Sequence, residues 1–191
     1  YREMNEADAT KNALLPQVLR SATEKYPSRQ KIYQYLEWLY GAKMAAGIRK
    51  KGDAAVMAFC FEALSDDFVE KSLAPDLSDL ALEVLYHPHL ESGAFCPEIL
   101  KIEKQNLKDR IQAMINEKRE YATERCIEEM CKGEPYGIYE LGKIDDIDPI
   151  TPSQLYAHYK KVIQTSKIDV FVSGKVDIQQ IIAKFEAIPT G

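Results

Sequence analysis

The stretch Lys43–Leu64, KMAAGIRKKGDAAVMAFCFEAL, decides the fold class. It reads as two strands, Lys43–Arg49 and Ala54–Leu64, joined by a turn at Lys50-Lys51-Gly52-Asp53. The second strand alternates only in part, so one face is expected to bury better than the other. Everything around this hairpin has helical texture. On the N-terminal side, Thr10 to about Thr23 carries Ala13, Leu14, Val18 and Leu19 at helical spacing. Pro16 inside that run removes a backbone donor and is expected to kink the helix or delay its start. Pro27-Ser28 opens a second helix with Ile32, Tyr35, Leu36 and Leu39 on one side, and Gly41 closes it.

Downstream of the hairpin, Asp66–Ser72 reads as a short helix or turn. Pro75–Tyr86 reads as a helix with Leu77, Leu80, Ala81, Val84 and Leu85 on its apolar side, stopped by Pro88. Pro97 opens what reads as the longest helix, running to about Met130, with Ile99, Ile102, Leu107, Ile111, Met114 and Ile115 as its apolar stripe. The sequence at Gly133–Gly137 breaks it. Thr151-Pro152 caps a further helix to about Val162, with Leu155, Tyr156 and Tyr159 facing inward. Ile168–Val172 reads as a strand ended by Gly174, and Asp177 caps a last helix through Ile188. Long helices around a hairpin and a later single strand predict an α+β domain.

Composition excludes several classes of function. The 191 residues are enough for one cored domain without disulfide or metal staples. Apolar residues at 46% and charged residues at 29% are a globular balance. With 25 Lys and Arg against 30 Asp and Glu, the net charge is −5, which is poorly suited to neutralising phosphates; no nucleic-acid partner is expected. The longest basic run, Arg49-Lys50-Lys51, falls at the hairpin tip. No apolar run reaches the roughly 18–20 residues of a membrane span, and neither a signal peptide nor a Gly-rich phosphate loop is visible. The chain starts at Tyr1 and reads as an excerpt. Cys60, Cys96, Cys126 and Cys131 form no C-x-x-C pair and are expected to be reduced, buried thiols in a cytoplasmic protein.

Few residues offer catalytic chemistry. His87-Pro88-His89 has no ligating residue at a suitable spacing on a shared element, so surface histidines are expected there. His158 reads as a plain helix residue. No Ser or Cys stands in a nucleophile motif. Tyr26, Tyr33 and Tyr40, spaced seven apart, are expected to pack in the core or on a helix surface. Glu103 and Arg110 are seven apart and project from one helix face, as a charge pair or a solvated flank.

Four segments carry a resemblance. They are Asn12–Pro27 (NALLPQVLRSATEKYP), Leu39–Ala42 with the hairpin after it, Glu103–Ile111, and Thr151–Tyr159 followed by Val170–Asp177 (VFVSGKVD). In order and spacing they resemble the pitrilysin/insulinase family of zinc metallopeptidases, and most closely a bacterial branch of inactive homologues. The resemblance implies a mitochondrial processing peptidase-like domain: a mostly antiparallel sheet with helices packed on one face. It implies that residues 1–191 form one such domain, the N-terminal half of a longer two-domain protein with its first strands missing.

The family's zinc residues carry over one by one. Anchored on Thr23-Glu24-Lys25, the first histidine ligand falls on Ala13, the general-base glutamate on Pro16 and the second histidine on Gln17. Anchored on Glu103, which matches the family's supporting glutamate, the third ligand falls on Arg110. The asparagine of the hairpin strand falls on Ala45. A catalytic zinc needs three N, S or carboxylate O ligands and an open position. Ala13 cannot ligate, Gln17 is a weak neutral donor, Arg110 is a permanent cation, and Pro16 cannot take a proton. A register slip does not help, because no histidine precedes His87. The resemblance therefore implies no catalytic residue, no metal and no cofactor. Arg110 could instead neutralise Glu103 or another buried carboxylate.

Three functions follow in order of support. The first is a non-catalytic partner subunit or peptide-binding half of a protease chamber, paired with a catalytic homologue or with itself and holding an extended peptide on a sheet edge. The second is a stand-alone peptide-binding scaffold. The third is an active zinc endopeptidase whose metal site lies outside this sequence.

Overall fold

The computed structural model describes residues 1–187. The chain is α+β, with seven α-helices and short sheets among the described residues. Its elements run β1 (Arg2–Glu3), α1 (Glu6–Leu19), α2 (Arg29–Trp38), β2 (Lys43–Lys51), β3 (Ala54–Glu62), α3 (Ala74–Tyr86), β4 (Leu90–Glu91), β5 (Ala94–Phe95), α4 (Pro97–Ala113), α5 (Lys118–Met130), α6 (Pro152–Thr165) and α7 (Ile178–Glu186). The chain divides into two compact units. The first is Tyr1–Val18, Gly47–Ala58 and Glu91–Lys167; the second is Leu19–Ala46, Phe59–Leu90 and the residues from Ile168.

The hairpin read from the sequence forms as β2 and β3. Gly52 stands in its turn at φ 57°, a region that costs glycine nothing. The three-stranded sheet has the order β1-β3-β2. The pair β1–β3 is antiparallel, with Arg2 opposite Ala55 and Glu3 opposite Ala54. A second, two-stranded sheet joins β4 to β5 across Ser92-Gly93, both at positive φ. That small hairpin was not expected from the sequence.

In the first unit, Leu14, Leu15, Phe95, Leu100, Leu107, Ile147 and Leu155 are buried. Helix α6 packs on β5, where Phe95 meets Tyr156 and Tyr159 edge-on at 5.7 and 5.9 Å. Helix α6 starts with a reciprocal capping box, Thr151 Oγ1 accepting from the Gln154 amide and Gln154 Oε1 from the Thr151 amide. In the second unit, Ile32, Leu36 and Leu39 bury the inner side of α2, and Leu80, Ala81 and Val84 that of α3. Helix α7 packs on α3, and Lys184 Nζ donates to the Pro75 carbonyl at 2.8 Å.

Several sequence expectations are corrected. Helix α1 begins at Glu6, because Asn5 Oδ1 accepts from the Asp8 amide at 2.8 Å and caps it early; it ends at Leu19 rather than Thr23. Pro16 therefore sits well inside the helix and does not delay its start. The expected helix from Pro97 to Met130 is two helices. A 3₁₀ turn at Met114–Asn116 and a non-helical Glu117 (φ −89°, ψ 71°) separate α4 from α5. The buried residues of α4 are Leu100, Glu103 and Leu107, while Ile102 and Ile115 of the expected stripe are exposed. Ile168–Val172 forms no strand. Helix α7 ends at Glu186, and the expected end at Ile188 lies outside the described residues. The cysteines are free, but only Cys96 is buried; Cys60 and Cys126 are exposed and Cys131 is half-buried. The reason is that β3 turns Cys60 outward and α5 buries no residue. Tyr33 and Tyr40 are exposed, and Tyr26 stacks on Tyr35 at 4.9 Å. No described helix is long and apolar enough to cross a membrane.

Candidate functional site

The positions singled out by the sequence lie on α1 and α4, both in the first unit as far as Val18. Ala13, Pro16 and Gln17 occupy adjacent turns of α1. Ala13 and Pro16 are buried and Gln17 is half-buried. Pro16 has no N–H to offer the Asn12 carbonyl four residues back, so the helix forgoes one bond there. The apolar residues on either side, Leu14, Leu15, Val18 and Leu19, are all buried and hold the turn in place.

On α4, Glu103 is only 2% exposed. Its carboxylate accepts from Asn106 Nδ2 at 3.0 Å. Arg110, two turns on, is exposed. The ends of the seven-residue spacing thus meet different surroundings. The Arg110 charge acts on Tyr139 and Glu140, favouring the ionised form of each. Burial outweighs it. The Tyr139 hydroxyl is pushed up to about 12 by burial, reinforced by the neighbouring Glu140. The Glu140 carboxyl is raised by burial and by Glu124, against the pull of Lys50 and Arg110.

Lys50 is the hub of that group. Its side chain is almost fully buried, and Nζ donates to the Ile138 carbonyl at 3.2 Å. It lies 3.6 Å from Glu124 Oε2, an ion pair too long for a hydrogen bond. It also stands 5.0 Å from the Tyr136 ring centroid, in cation–π range. This group ties β2, α5 and the 136–140 loop together. Sequence reading missed it, because its members are scattered along the chain and Lys50 reads as part of a solvated basic run.

A second polar centre was also missed. His158 is buried on α6, with Nε2–H donating to Asn12 Oδ1 at 2.7 Å and Nδ1 3.6 Å from Asp8 Oδ1. Burial pushes its pKa down to about 4, against the opposing pull of Asp8, so the ring is neutral at pH 7. Asn12 Nδ2 is buried without a hydrogen-bond partner among the described residues. The loop after α5 closes against the same helix. Gly142 takes φ 73°, and a Cβ there would stand 2.1 Å from Thr10 Oγ1, which accepts from the Lys143 amide at 3.2 Å.

His87 and His89 follow α3 in the second unit. His87 is exposed, with Nδ1 3.9 Å from Glu24 Oε2. Among the described residues, no three His, Cys, Asp or Glu gather where they could hold a metal ion.

No family model matches the chain. It is 39% identical over 175 residues to a Bacillus subtilis (strain 168) protein named "Probable inactive metalloprotease YmfF", a match that takes in 90% of this chain. The chain spans 41% of that relative's length. The crystal structure of a conserved protein from Enterococcus faecalis V583 superposes with a TM-score of 0.89 at 24% identity, over 100% of this chain and 45% of that one. A peptidase M16 inactive domain from Pseudomonas fluorescens superposes with a TM-score of 0.61 at 19% identity, over 83% of this chain and 36% of that one. These likenesses bear out the peptidase-like α+β fold. The chain belongs with the inactive metalloprotease homologues, and its fold is that of a peptidase M16 inactive domain.

Proposed function

We propose that the full-length protein is a catalytically inactive metallopeptidase homologue, the non-catalytic, peptide-binding half of a protease chamber. Its partner is a homologue that keeps the zinc ligands. The observation that carries this reading is the pair Ala13 and Pro16, buried on α1 where the family resemblance calls for a ligand and a base. A methyl group and a tertiary amide supply neither. Gln17 and Arg110 complete the loss, and the name of the Bacillus relative supports it. In this reading the 191 residues are one half of a two-domain protein working in the cytoplasm. In this reading the protein holds an extended peptide along a sheet edge by backbone hydrogen bonds.

Two measurements on full-length protein test the proposal. Elemental analysis of protein purified without chelators is expected to find zinc far below one per chain, with no hydrolysis of peptides. An affinity pull-down from the native cells is expected to return a homologue bearing H-x-x-E-H in near-equal amount. Stoichiometric zinc with peptide hydrolysis overturns the inactive reading. Recovery of the bait alone overturns the partner reading.

A further inference from the structure

Helix α2 buries Ile32 and Leu36 and sets Tyr35 and Trp38 one turn apart on another side. Tyr26, from the segment before the helix, stacks on Tyr35 with ring centroids 4.9 Å apart and planes at 25°. Trp38 stacks on Tyr35 in turn, at 5.7 Å and 19°. Three nearly parallel rings result, all within the second unit. The last ring of the stack is open. Trp38 is 67% exposed, and Tyr40, just past the helix end, is exposed too. An indole that gives one face to Tyr35 and still shows two-thirds of its surface offers the other face to solvent. Tyr40 holds φ 58°, a region that glycine fills more cheaply at a helix end, so a bulky ring is kept there at a cost in backbone strain.

Charge indicates what such a face takes. Lys25 Nζ stands 5.4 Å from the Tyr26 centroid and 5.9 Å from that of Tyr35, so the chain already lays a cation against this stack. Trp38 closes α2, at the negative end of the helix dipole. The last turn holds no basic residue, and Glu37 is exposed beside the ring; the next cation along the chain is Lys43, at the start of β2. Asp76 and Asp79 of α3 lie close enough to help burial and Tyr26 push the Tyr35 hydroxyl up, but they are paired with Lys71 and Lys184. That leaves Glu37 and the helix end to meet a visiting cation.

Shape selects arginine over lysine. A guanidinium is flat, continues a stack of parallel rings and keeps its edge N–H groups for a carboxylate, whereas an ammonium is a point charge. Trp, Tyr and Arg are also the side chains that dominate binding energy where proteins meet. We infer that the outer face of Trp38, with Glu37 and Tyr40 beside it, receives an arginine side chain of a partner polypeptide. This site uses none of the residues on which the inactive reading rests, so the two stand or fall separately.

The test is fluorine NMR on full-length protein labelled with 5-fluorotryptophan. It is titrated with acetyl-Gly-Arg-Gly-amide and with the same peptide carrying lysine or citrulline, the flat uncharged counterpart of arginine. The Trp38 signal is the one lost in Trp38→Phe. It is expected to shift saturably with the arginine peptide, about 3-fold more weakly with lysine and about 5-fold more weakly with citrulline. Glu37→Gln is expected to weaken the arginine peptide about 2-fold and to leave citrulline unchanged. A Trp38 signal that does not move overturns the site, and so does an equal drift of every tryptophan signal. Citrulline binding as well as arginine overturns the cationic ligand, and lysine binding as well overturns the choice of arginine. Should Trp38→Phe fail to fold, the signal is assigned as the one moved by Glu37→Gln, and the three peptides decide on the protein without substitutions.

Discussion

Helices α1 and α5 are of nearly equal length, 14 and 13 residues, yet they are held by different forces. Helix α1 buries Ala9, Ala13, Leu14, Leu15, Val18 and Leu19 together with Thr10 and Asn12. Helix α5 buries no whole residue; apart from Glu124 beside Lys50 it is laced by surface charges, Arg125 pairing with Glu128 and, at 3.1 Å, with Glu129. A helix buried on several sides tolerates an internal proline, because packing outweighs one lost hydrogen bond. A helix with no buried residue depends on intrinsic propensity and on weak ion pairs. The difference teaches that a substitution's cost in this protein follows burial rather than helix membership.

The sharpest way to break the comparison is Leu14→Ala. Leu14 is fully buried, so the expected loss is about 3–4 kcal/mol in urea unfolding. A loss below about 1 kcal/mol would show that α1 can collapse around the cavity. Next comes Gly142→Ala, which brings a methyl carbon into Thr10 and asks alanine to hold φ 73°. It is expected to cost about 2–3 kcal/mol, read as a lowered urea midpoint. The combination with Thr10→Ser would keep most of the penalty, because Oγ1 and the Thr10 backbone are the atoms approached.

The third test is acidification. His158 is neutral in the folded protein down to about pH 4, whereas the unfolded ring takes a proton near its ordinary 6.5. Between those values the unfolded state binds more protons, so stability falls as pH falls. The loss from pH 7 to pH 5 is expected on the order of 1–2 kcal/mol. The Asp8 carboxyl, held low by Lys11 and His158 against burial, adds a loss of the same sign at lower pH. His158→Gln is expected to flatten the pH 5–7 slope. An unchanged slope would mean that His158 is not the group responsible. The smallest effect belongs to α5: Arg125→Ala is expected to change stability by less than about 0.5 kcal/mol, and a larger change would mean that α5 leans on its charges more than its exposure implies.

How much was legible in the sequence follows the range of the forces involved. The β2–β3 hairpin was readable from strand texture on either side of Gly52. The start of α6 was readable at Thr151-Pro152, because capping is a contact between near neighbours in sequence. The break between α4 and α5 was not readable, since Met114 and Ile115 are residues a helix accepts; the chain departs from helix for want of a buried face to continue on. The burial of His158 was hidden for a similar reason, because it is a polar residue whose place is set by what packs over it. Lys50, Glu124 and Glu140 share no segment, so no spacing rule connects them. Ala13, Pro16, Gln17 and Arg110 drew notice only through the family resemblance, because an alanine in a helix announces nothing by itself.

The outward-facing thiols of Cys60 and Cys126 have a practical consequence. On standing in air, two exposed sulfhydryls per molecule give neighbouring copies a route to covalent linkage once either ionises. Such cross-links would migrate as a dimer on a non-reducing gel and would imitate self-association. Any search for this protein's companions is therefore best begun in reductant, where a band at twice the mass reports recognition instead of ageing.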